Sequence, residues 1–267
     1  MYRVEIAKAA RRWRTWILAA GFVAIPTLIV VALVLTSDPP EPGEGPPFLR
    51  LVEINGVFAS LVGLSVIQPF FLPLATGLLA GDAIAGESSA GTLRYLLVRP
   101  VGRMRLLVVK YATVVTQVIA AVGIVALTGL TVGGLAYGIG PLPTLSGTTL
   151  AVGPALLRIA GAGLYLATGM AGLVAIGLLF STLTDSGPGA TAATVGVYIV
   201  MQVLDALPAL RIVHPYLLSH YAMAFADLFR SPVALDRIAR GLIVDAGYIV
   251  IFGTVTAVLF NRKDVTS

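Results

Sequence analysis

The feature that most constrains this chain is a series of long stretches that contain no charged residue. A helix needs about 20 apolar residues to cross the hydrocarbon core of a bilayer, and several stretches reach that length. Only 12% of the 267 residues are charged, whereas 57% are hydrophobic. A globular domain carries about twice that charge, and a disordered chain is poor in apolar residues. We therefore predict an integral membrane protein.

The uncharged stretches predict six transmembrane helices in a single all-α domain that covers 1–267. The stretch between Lys110 and Arg158 has to hold both a span and a loop, because its segment GIGPLPTLSG is typical of turns. Pro69 and Pro73 interrupt the second stretch. We expect the first span to be retained, since its apolar run is longer than that of a signal peptide. The predicted spans are 16–35, 57–80, 111–135, 155–183, 189–207 and 241–260.

The distribution of basic residues predicts the orientation of these spans. Lys and Arg favour the cytoplasmic side, and most of them fall in the N-terminal segment, in the loop 81–110 and after the last span. Both termini are therefore expected to be cytoplasmic. The excess of Arg over Lys, in a background rich in Ala, Gly and Val, indicates a GC-rich bacterial genome. These features predict a multi-pass protein of the bacterial cytoplasmic membrane.

The N-terminal segment 2–15 predicts an amphipathic helix that lies in the membrane interface. Its aromatic and apolar residues recur at helical spacing, and most of its basic residues fall on other faces. Such a helix places aromatic rings at headgroup depth and arginines near lipid phosphate. The alternative is a basic flank that only sets the topology. The residues that define the apolar face are Tyr2, Ile6, Ala10, Trp13 and Trp16.

The loop between the second and third spans, residues 81–110, is the most informative part of the sequence. Asp82 and Glu87 leave the membrane first, and the segment SSAG then breaks the chain. Thr92 can cap a short helix, which Pro100 ends. This helix carries an apolar ridge that needs a surface to pack against, either a partner or its own bundle and lipid. The ridge consists of Leu93, Leu96 and Leu97.

The string GESSAGTLRYLLVRPVGRMRLLVVK in this loop resembles the cytoplasmic loop of ABC transporter permeases of the type-two exporter family. Glu5 in a basic entry helix and the ending FNRKDV, residues 260–265, are similar to features of the same family. Chain length and the six predicted spans fit as well. The residues that match the loop pattern are Glu87, Gly91, Thr92, Leu96, Pro100, Arg103 and Lys110.

The resemblance implies that the loop forms a coupling helix, which docks in a groove on a separate cytoplasmic ATPase. The chain would then be the non-enzymatic permease subunit of an ATP-driven exporter. It would bind no cofactor itself, since ATP and Mg²⁺ would bind the partner, and it would pair with a second permease copy or a paralogue. The implied ATPase-coupling residues are Glu87, Gly91, Thr92, Leu93, Leu96, Leu97, Pro100 and Arg103.

Two of the implied roles have a simpler alternative. Glu87 is interpreted as a salt-bridge or cap partner near the hinge of the loop, but it could equally be a solvated carboxylate. Arg103 and Lys110 could be ordinary basic residues on the cytoplasmic side.

Other functional classes lack their sequence signatures. None of the three lysines (Lys8, Lys110 and Lys263) follows a glycine, so the chain has no phosphate-binding loop of its own. There is no cysteine, and no protease or hydrolase motif is present. A secondary transporter would show two related halves with broken helices, and only the second span carries a pair of prolines. A secondary transporter, or a membrane protein without an ATPase partner, remains the alternative.

The external side carries the remaining candidate residues. The segment 208–240 is too polar to span the membrane and predicts short re-entrant helices before the sixth span. His214 and His220 have no third ligand of suitable spacing, so we expect interface histidines and no metal site. Ionisable groups near membrane depth pair with each other, line a path or reach headgroup water. Those near membrane depth here are Arg158, Asp205 and Asp245, and Arg158 with Asp205 or Asp245 is one candidate pair.

Overall fold

The computed structural model describes residues 1–36, 45–89, 91 and 102–262. Most of these residues are helical, and a small two-stranded ribbon is an exception to the predicted all-α fold. The helices are α1 (Tyr2–Ala10), α2 (Trp13–Leu35), α3 (Leu49–Val52), α4 (Phe58–Ile67), α5 (Phe71–Gly81), α6 (Ala85–Ser89), α7 (Arg103–Tyr137), α8 (Val152–Leu183), α9 (Gly187–Ala206) and α10 (Asp236–Arg262). Strands β1 (Leu142–Pro143) and β2 (Thr149–Leu150) pair antiparallel between α7 and α8.

Five of the described helices are long and apolar enough to cross a membrane, namely α2, α7, α8, α9 and α10. Helices α4 and α5 pass the same test together but meet at an angle of 57°. The described part of the chain is therefore a helical membrane protein with five spans, or six when this pair counts as one. The entry helix α1 ends at Ala10 rather than at residue 15, and the first span begins at Trp13.

Contacts at one end of the bundle bring the two ends of the chain together. Lys110 on α7 contacts Glu5 on α1, and the Arg103 guanidinium donates a hydrogen bond to the carbonyl of Asn261 at 2.8 Å. Helices α1 and α10 therefore both reach the start of α7, and we call this end of the bundle the termini end. An even number of crossings brings both termini to one end, which agrees with α4 and α5 forming one broken span.

The break between α4 and α5 follows from two prolines. Pro73 has no N–H, so it cannot donate the helical hydrogen bond to the carbonyl of Pro69. The Gln202 amide on α9 donates to that carbonyl at 2.5 Å. The Gln68 amide donates to the Tyr198 hydroxyl, also on α9, at 2.7 Å. A backbone group left without a partner in lipid costs several kcal/mol, and Gln202 supplies the partner of the Pro69 carbonyl.

Helix α8 is the centre of the bundle. In its most apolar stretch 72% of the residues are buried, compared with 17% for α2 and 11% for α10. The apolar side chains that α2 and α10 expose, among them Leu28, Val34, Ile243 and Val250, suit a surface that faces lipid.

The far end of the bundle is built from the ribbon and from the segment before α10. This segment forms three short 3-10 helices, Pro208–Leu210, His214–Tyr216 and Ala224–Phe229. The amide of Leu145, in the turn of the ribbon, donates to the carbonyl of Phe229 at 2.9 Å. Phe225 and Phe229 are fully buried. The far end is therefore an ordered cap on the bundle.

Small residues allow α4 and α7 to approach closely. A methyl group added to Gly133 would lie 2.2 Å from the carbonyl oxygen of Gly56, and one added to Gly129 would lie 2.6 Å from Cα of Ser60. These glycines form a small-xxx-small pattern, which favours close helix contact in membranes. Gly77 and Gly81 on α5 have the same spacing and pack against α9.

Gly133→Ala is expected to destabilise the protein by about 1–3 kcal/mol, because the added methyl group has to push α4 away from α7. The measurement is the midpoint of thermal unfolding of the purified protein in detergent. Gly123→Ala is the matched control, since this residue lies in the same helix with no atom within 4 Å of the added methyl group. Equal midpoints for the two variants would contradict the close contact.

Candidate functional site

Four charged side chains meet at the termini end of the bundle. The ammonium nitrogen Nζ of Lys110 lies 2.8 Å from Oε2 of Glu5 and 3.1 Å from Oε1 of Glu87. Lys8 donates a hydrogen bond to the same oxygen of Glu87. We call Glu5, Lys8, Glu87 and Lys110 the charged cluster. Its two carboxylates and two ammonium groups balance in charge.

The burial of these side chains determines how much the loss of one ion pair would destabilise the protein. Glu87 is 4% exposed and Lys110 is 6% exposed, so neither is solvated enough to remain charged without a partner. The side chain of Glu5 is 12% exposed, whereas that of Lys8 is 44% exposed and reaches solvent. Removing one partner from such a site leaves an uncompensated buried charge, which destabilises a protein much more than the loss of a surface ion pair.

The cluster joins three separate elements. Glu5 and Lys8 lie on α1, Glu87 lies on α6, and Lys110 lies in the first part of α7. A helical spacing of three residues puts Glu5 and Lys8 on one face of α1, and that face meets the other two helices. The cluster therefore fixes the entry helix and the start of the loop 81–110 to the third span.

Further polar contacts hold the start of the same loop. The Ser181 hydroxyl on α8 accepts hydrogen bonds from the amides of Ile84 (3.0 Å) and Ala85 (2.9 Å), and it donates to the carbonyl of Gly81 at 2.7 Å. The Arg12 guanidinium donates to Asp82 at 3.0 Å. The segment between α5 and α6 is thus bonded to the N-terminal segment and to α8.

The structure describes part of the predicted coupling set. Glu87 lies in salt bridges with Lys8 and Lys110 rather than in solvent. Gly91 has a φ of +67°, a conformation that favours glycine. Arg103 bonds the backbone of α10 through the carbonyl of Asn261. The predicted coupling helix itself lies outside the described residues, as do Thr92, Leu93, Leu96, Leu97 and Pro100.

Among the described residues, Arg158 forms no salt bridge with Asp205 or Asp245, the candidate pair named from the sequence. Arg158 donates instead to the carbonyl of Arg230 at 3.1 Å. Asp245 is buried and accepts a hydrogen bond from the Thr168 hydroxyl at 3.2 Å. Asp205 contacts His220 and His214. The three groups therefore lie at separate places. Their positions along the spans did not indicate which sides of the helices contact one another.

The expectation that the two histidines lack a third candidate ligand is wrong. Asp205 Oδ1 lies 2.6 Å from Nδ1 of His220 and 3.7 Å from Nδ1 of His214. Asp205 lies in the last turn of α9, and the histidines follow in the segment that folds back over this end. The spacing of the two histidines did not indicate this ligand, because the chain reversal at Pro208 brings Asp205 to both of them.

Some residues of the site had no clear signal in the sequence. Lys8 was one basic residue among several in the N-terminal segment, and Ser181 was an uncharged residue near the end of a span. A three-residue spacing between Glu5 and Lys8 was the available sign that one face of α1 carries both charges. No local pattern indicates that Ser181 bonds a loop about a hundred residues earlier in the chain.

Comparison with known proteins gives one match over nearly the whole chain. The family model described as "ABC-2 family transporter protein" matches residues 1–265. The probable ABC transporter permease protein NosY of Pseudomonas aeruginosa is 43% identical over 60 residues, which cover 22% of this chain and 22% of that protein. The protein of the same name from Stutzerimonas stutzeri is 43% identical over 53 residues, covering 20% and 19%. The chain thus aligns with about a fifth of the length of these curated relatives.

Lys110→Met is expected to destabilise the protein by about 3–5 kcal/mol, because it removes the buried ammonium group that bridges Glu5 and Glu87. The thermal unfolding midpoint in detergent measures this loss. The control is Arg105→Met, which removes an exposed basic residue from the same helix. The double variant Glu87→Gln with Lys110→Met should recover part of the loss. Equal midpoints for Lys110→Met and Arg105→Met would rule out a structural role of the cluster.

Proposed function

The chain belongs to the ABC-2 family of transporter proteins, and from this premise we propose that it is the permease subunit of an ATP-driven exporter. In this proposal the spans form the translocation path, and a separate ABC-type ATPase binds ATP and Mg²⁺ and hydrolyses the nucleotide. The chain pairs with a second copy or with a paralogue, so that two permease subunits face two ATPase subunits. The termini end faces the cytoplasm, as the basic residues predict.

The observation that carries the proposal is the charged cluster. A permease driven from outside has to transmit force from its docking loop to its spans, and the loop must not bend freely where it leaves the bundle. Glu87 stands near the start of the loop 81–110 and is salt-bridged to Lys110, the residue at which the loop ends. Both ends of the loop are thus tied to each other and, through Glu5 and Lys8, to the entry helix.

The bonds of Ser181 and Arg12 extend this connection. Ser181 links the start of the loop to the central helix α8, and Arg12 links Asp82 to the chain segment that leads into α2. A rigid-body movement of the docked loop would therefore pull on α1, α2, α7 and α8 together. In this mechanism Leu93, Leu96 and Leu97 are the apolar anchors that fit a groove on the ATPase, as a short helix does in a groove.

The alternative is transport without an ATPase partner. The broken span formed by α4 and α5 favours it, because broken helices often line the sites of secondary transporters. The polar groups at this break already have partners, because the Gln68 side-chain amide bonds Tyr198 on α9 and the Gln202 amide of α9 bonds the Pro69 carbonyl. The described spans show one such break. We therefore rank the ATP-driven exporter first and test the two functions against each other.

Purification of the tagged chain from its native host in a mild detergent should recover an ATPase subunit in stoichiometric amount. The eluate should hydrolyse ATP, and the partner should carry the phosphate-binding loop that this chain lacks. A second permease-like chain in the eluate would indicate a heterodimer. If the chain elutes alone, even after crosslinking in cells, the ATP-driven proposal is wrong and secondary transport becomes the leading function.

Leu96→Asp should leave the protein inserted and folded but weaken its association with the ATPase at least roughly tenfold, because an unpaired charge would enter the apolar groove. The amounts of ATPase that co-purify with the variant and with the unmodified chain measure the effect. Leu145→Asp is the matched control, since Leu145 is an exposed leucine at the far end of the bundle. Unchanged association and transport in Leu96→Asp would overturn the docking role of this leucine.

A further inference from the structure

The far end of the bundle holds a cluster of ligand-type side chains that the transport proposal does not use. One oxygen of Asp205 and one nitrogen each of His214 and His220 all lie within 4.8 Å of one another. The imidazole rings of the two histidines have their centroids 5.6 Å apart. Two imidazoles and one carboxylate that converge in this way form a donor set typical of sites for transition-metal ions.

Backbone contacts determine which nitrogen of His214 is available as a ligand. Its Nε2 lies 3.1 Å from the carbonyl oxygen of Leu204 and 3.2 Å from that of Leu207. Since carbonyl oxygens only accept hydrogen bonds, Nε2 carries the hydrogen, and in the neutral ring Nδ1 holds the lone pair. The histidine ligands of metals usually donate their other ring N–H to a carbonyl or carboxylate in this manner, which fixes the orientation of the ring.

The free lone pair faces a negative group. Nδ1 of His214 lies 3.7 Å from Oδ1 of Asp205, and Nδ1 of His220 lies 2.6 Å from the same oxygen. A lone pair and a carboxylate repel each other unless a cation lies between them. A metal ion placed between His214 and Asp205 would bind both groups and would also reach His220.

The distances suit an ion of the size of Zn²⁺. In a tetrahedral site with bonds of about 2.0–2.2 Å, ligand atoms lie roughly 3.3 Å apart. The two observed separations, 2.6 Å and 3.7 Å, lie on either side of this value. Loading the site therefore requires a shift of less than 1 Å in either of these distances, and the ligand nitrogens of the two imidazoles lie within 4.8 Å of each other. The side chains of Asp205, His214 and His220 are 25%, 14% and 35% exposed, so an ion can enter from solvent.

We propose that Asp205, His214 and His220 bind one divalent transition-metal ion of the zinc type at the far end of the bundle. Three protein ligands leave a fourth position for water or another ligand, as in open zinc sites. The bound ion would join the end of α9 to the segment that leads into α10. This proposal is independent of the transport function, because it rests on the three side chains and the carbonyls of Leu204 and Leu207 alone.

The test exploits the fact that the chain contains two histidines and no cysteine. The protein is purified in detergent with a tag free of histidine, stripped with a chelator, and titrated with Zn²⁺ by calorimetry. We expect one ion per chain. X-ray absorption at the zinc edge should then show two imidazole ligands per zinc, and both histidines of the chain lie in the proposed site. This measurement uses the unmodified protein and does not depend on any variant folding.

Variants locate the ion. His220→Gln and Asp205→Asn should each weaken zinc binding by a factor of about 10–100 or more, a range already seen when only the outer partners of a metal ligand are removed. Glu53→Gln removes another carboxylate at the far end, where Glu53 lines a cavity with Leu145 and Ala226, and it should bind zinc like the unmodified chain. The proposal is wrong if no stoichiometric zinc binds, if the bound zinc shows no imidazole ligands, or if His220→Gln and Asp205→Asn both retain full affinity. Any of these results would identify the cluster as a set of hydrogen bonds only.

Discussion

The ion pairs of Lys110 with Glu5 and Glu87 are the interaction on which the termini end depends. Helix α1 has no fully buried residue, so apolar packing contributes little to its position on the bundle. It is held by Glu5 and Lys8, together with the hydrogen bond between the hydroxyls of Tyr2 and Thr116. Buried charges add little net stability, but they are costly to separate. These ion pairs therefore favour one arrangement of α1, α6 and α7 over others, although they add little to the free energy of unfolding.

The membrane imposes a second constraint, because every backbone polar group in lipid needs a partner within the protein. The chain departs from regular helix within its second span, and there polar side chains of α9 take over the bonds. Gln202 replaces the donor that Pro73 lacks, and Tyr198 binds the amide of Gln68. Where α4 meets α7, glycines reduce the distance between the backbones instead. The polar and the small residues of the spans thus explain the bend and the close crossing.

The sequence predicted a helical membrane protein and the interruption of its second apolar stretch, because hydropathy and proline act locally. It did not predict how far each helix extends beyond its apolar part. Charges mark the edge of the membrane rather than the end of a helix, so α7 begins at Arg103 although its apolar part starts at residue 111. Contacts between distant residues were also missed, including Lys8 with Glu87 and Asp205 with His220. Such contacts depend on how each helix is rotated about its axis and on where the chain folds back. A single sequence indicates neither.

Helix α8 connects the two ends of the molecule. Near its end Ser181 bonds three backbone groups at the start of the loop 81–110. Near its beginning Arg158 bonds the carbonyl of Arg230, and the Tyr165 hydroxyl donates to the carbonyl of Tyr221 at 2.8 Å. Closely packed side chains transmit strain to their neighbours. A displacement of the loop therefore has two outcomes: it breaks the bonds of Ser181, or it carries α8 and shifts the segment 208–240 at the far end.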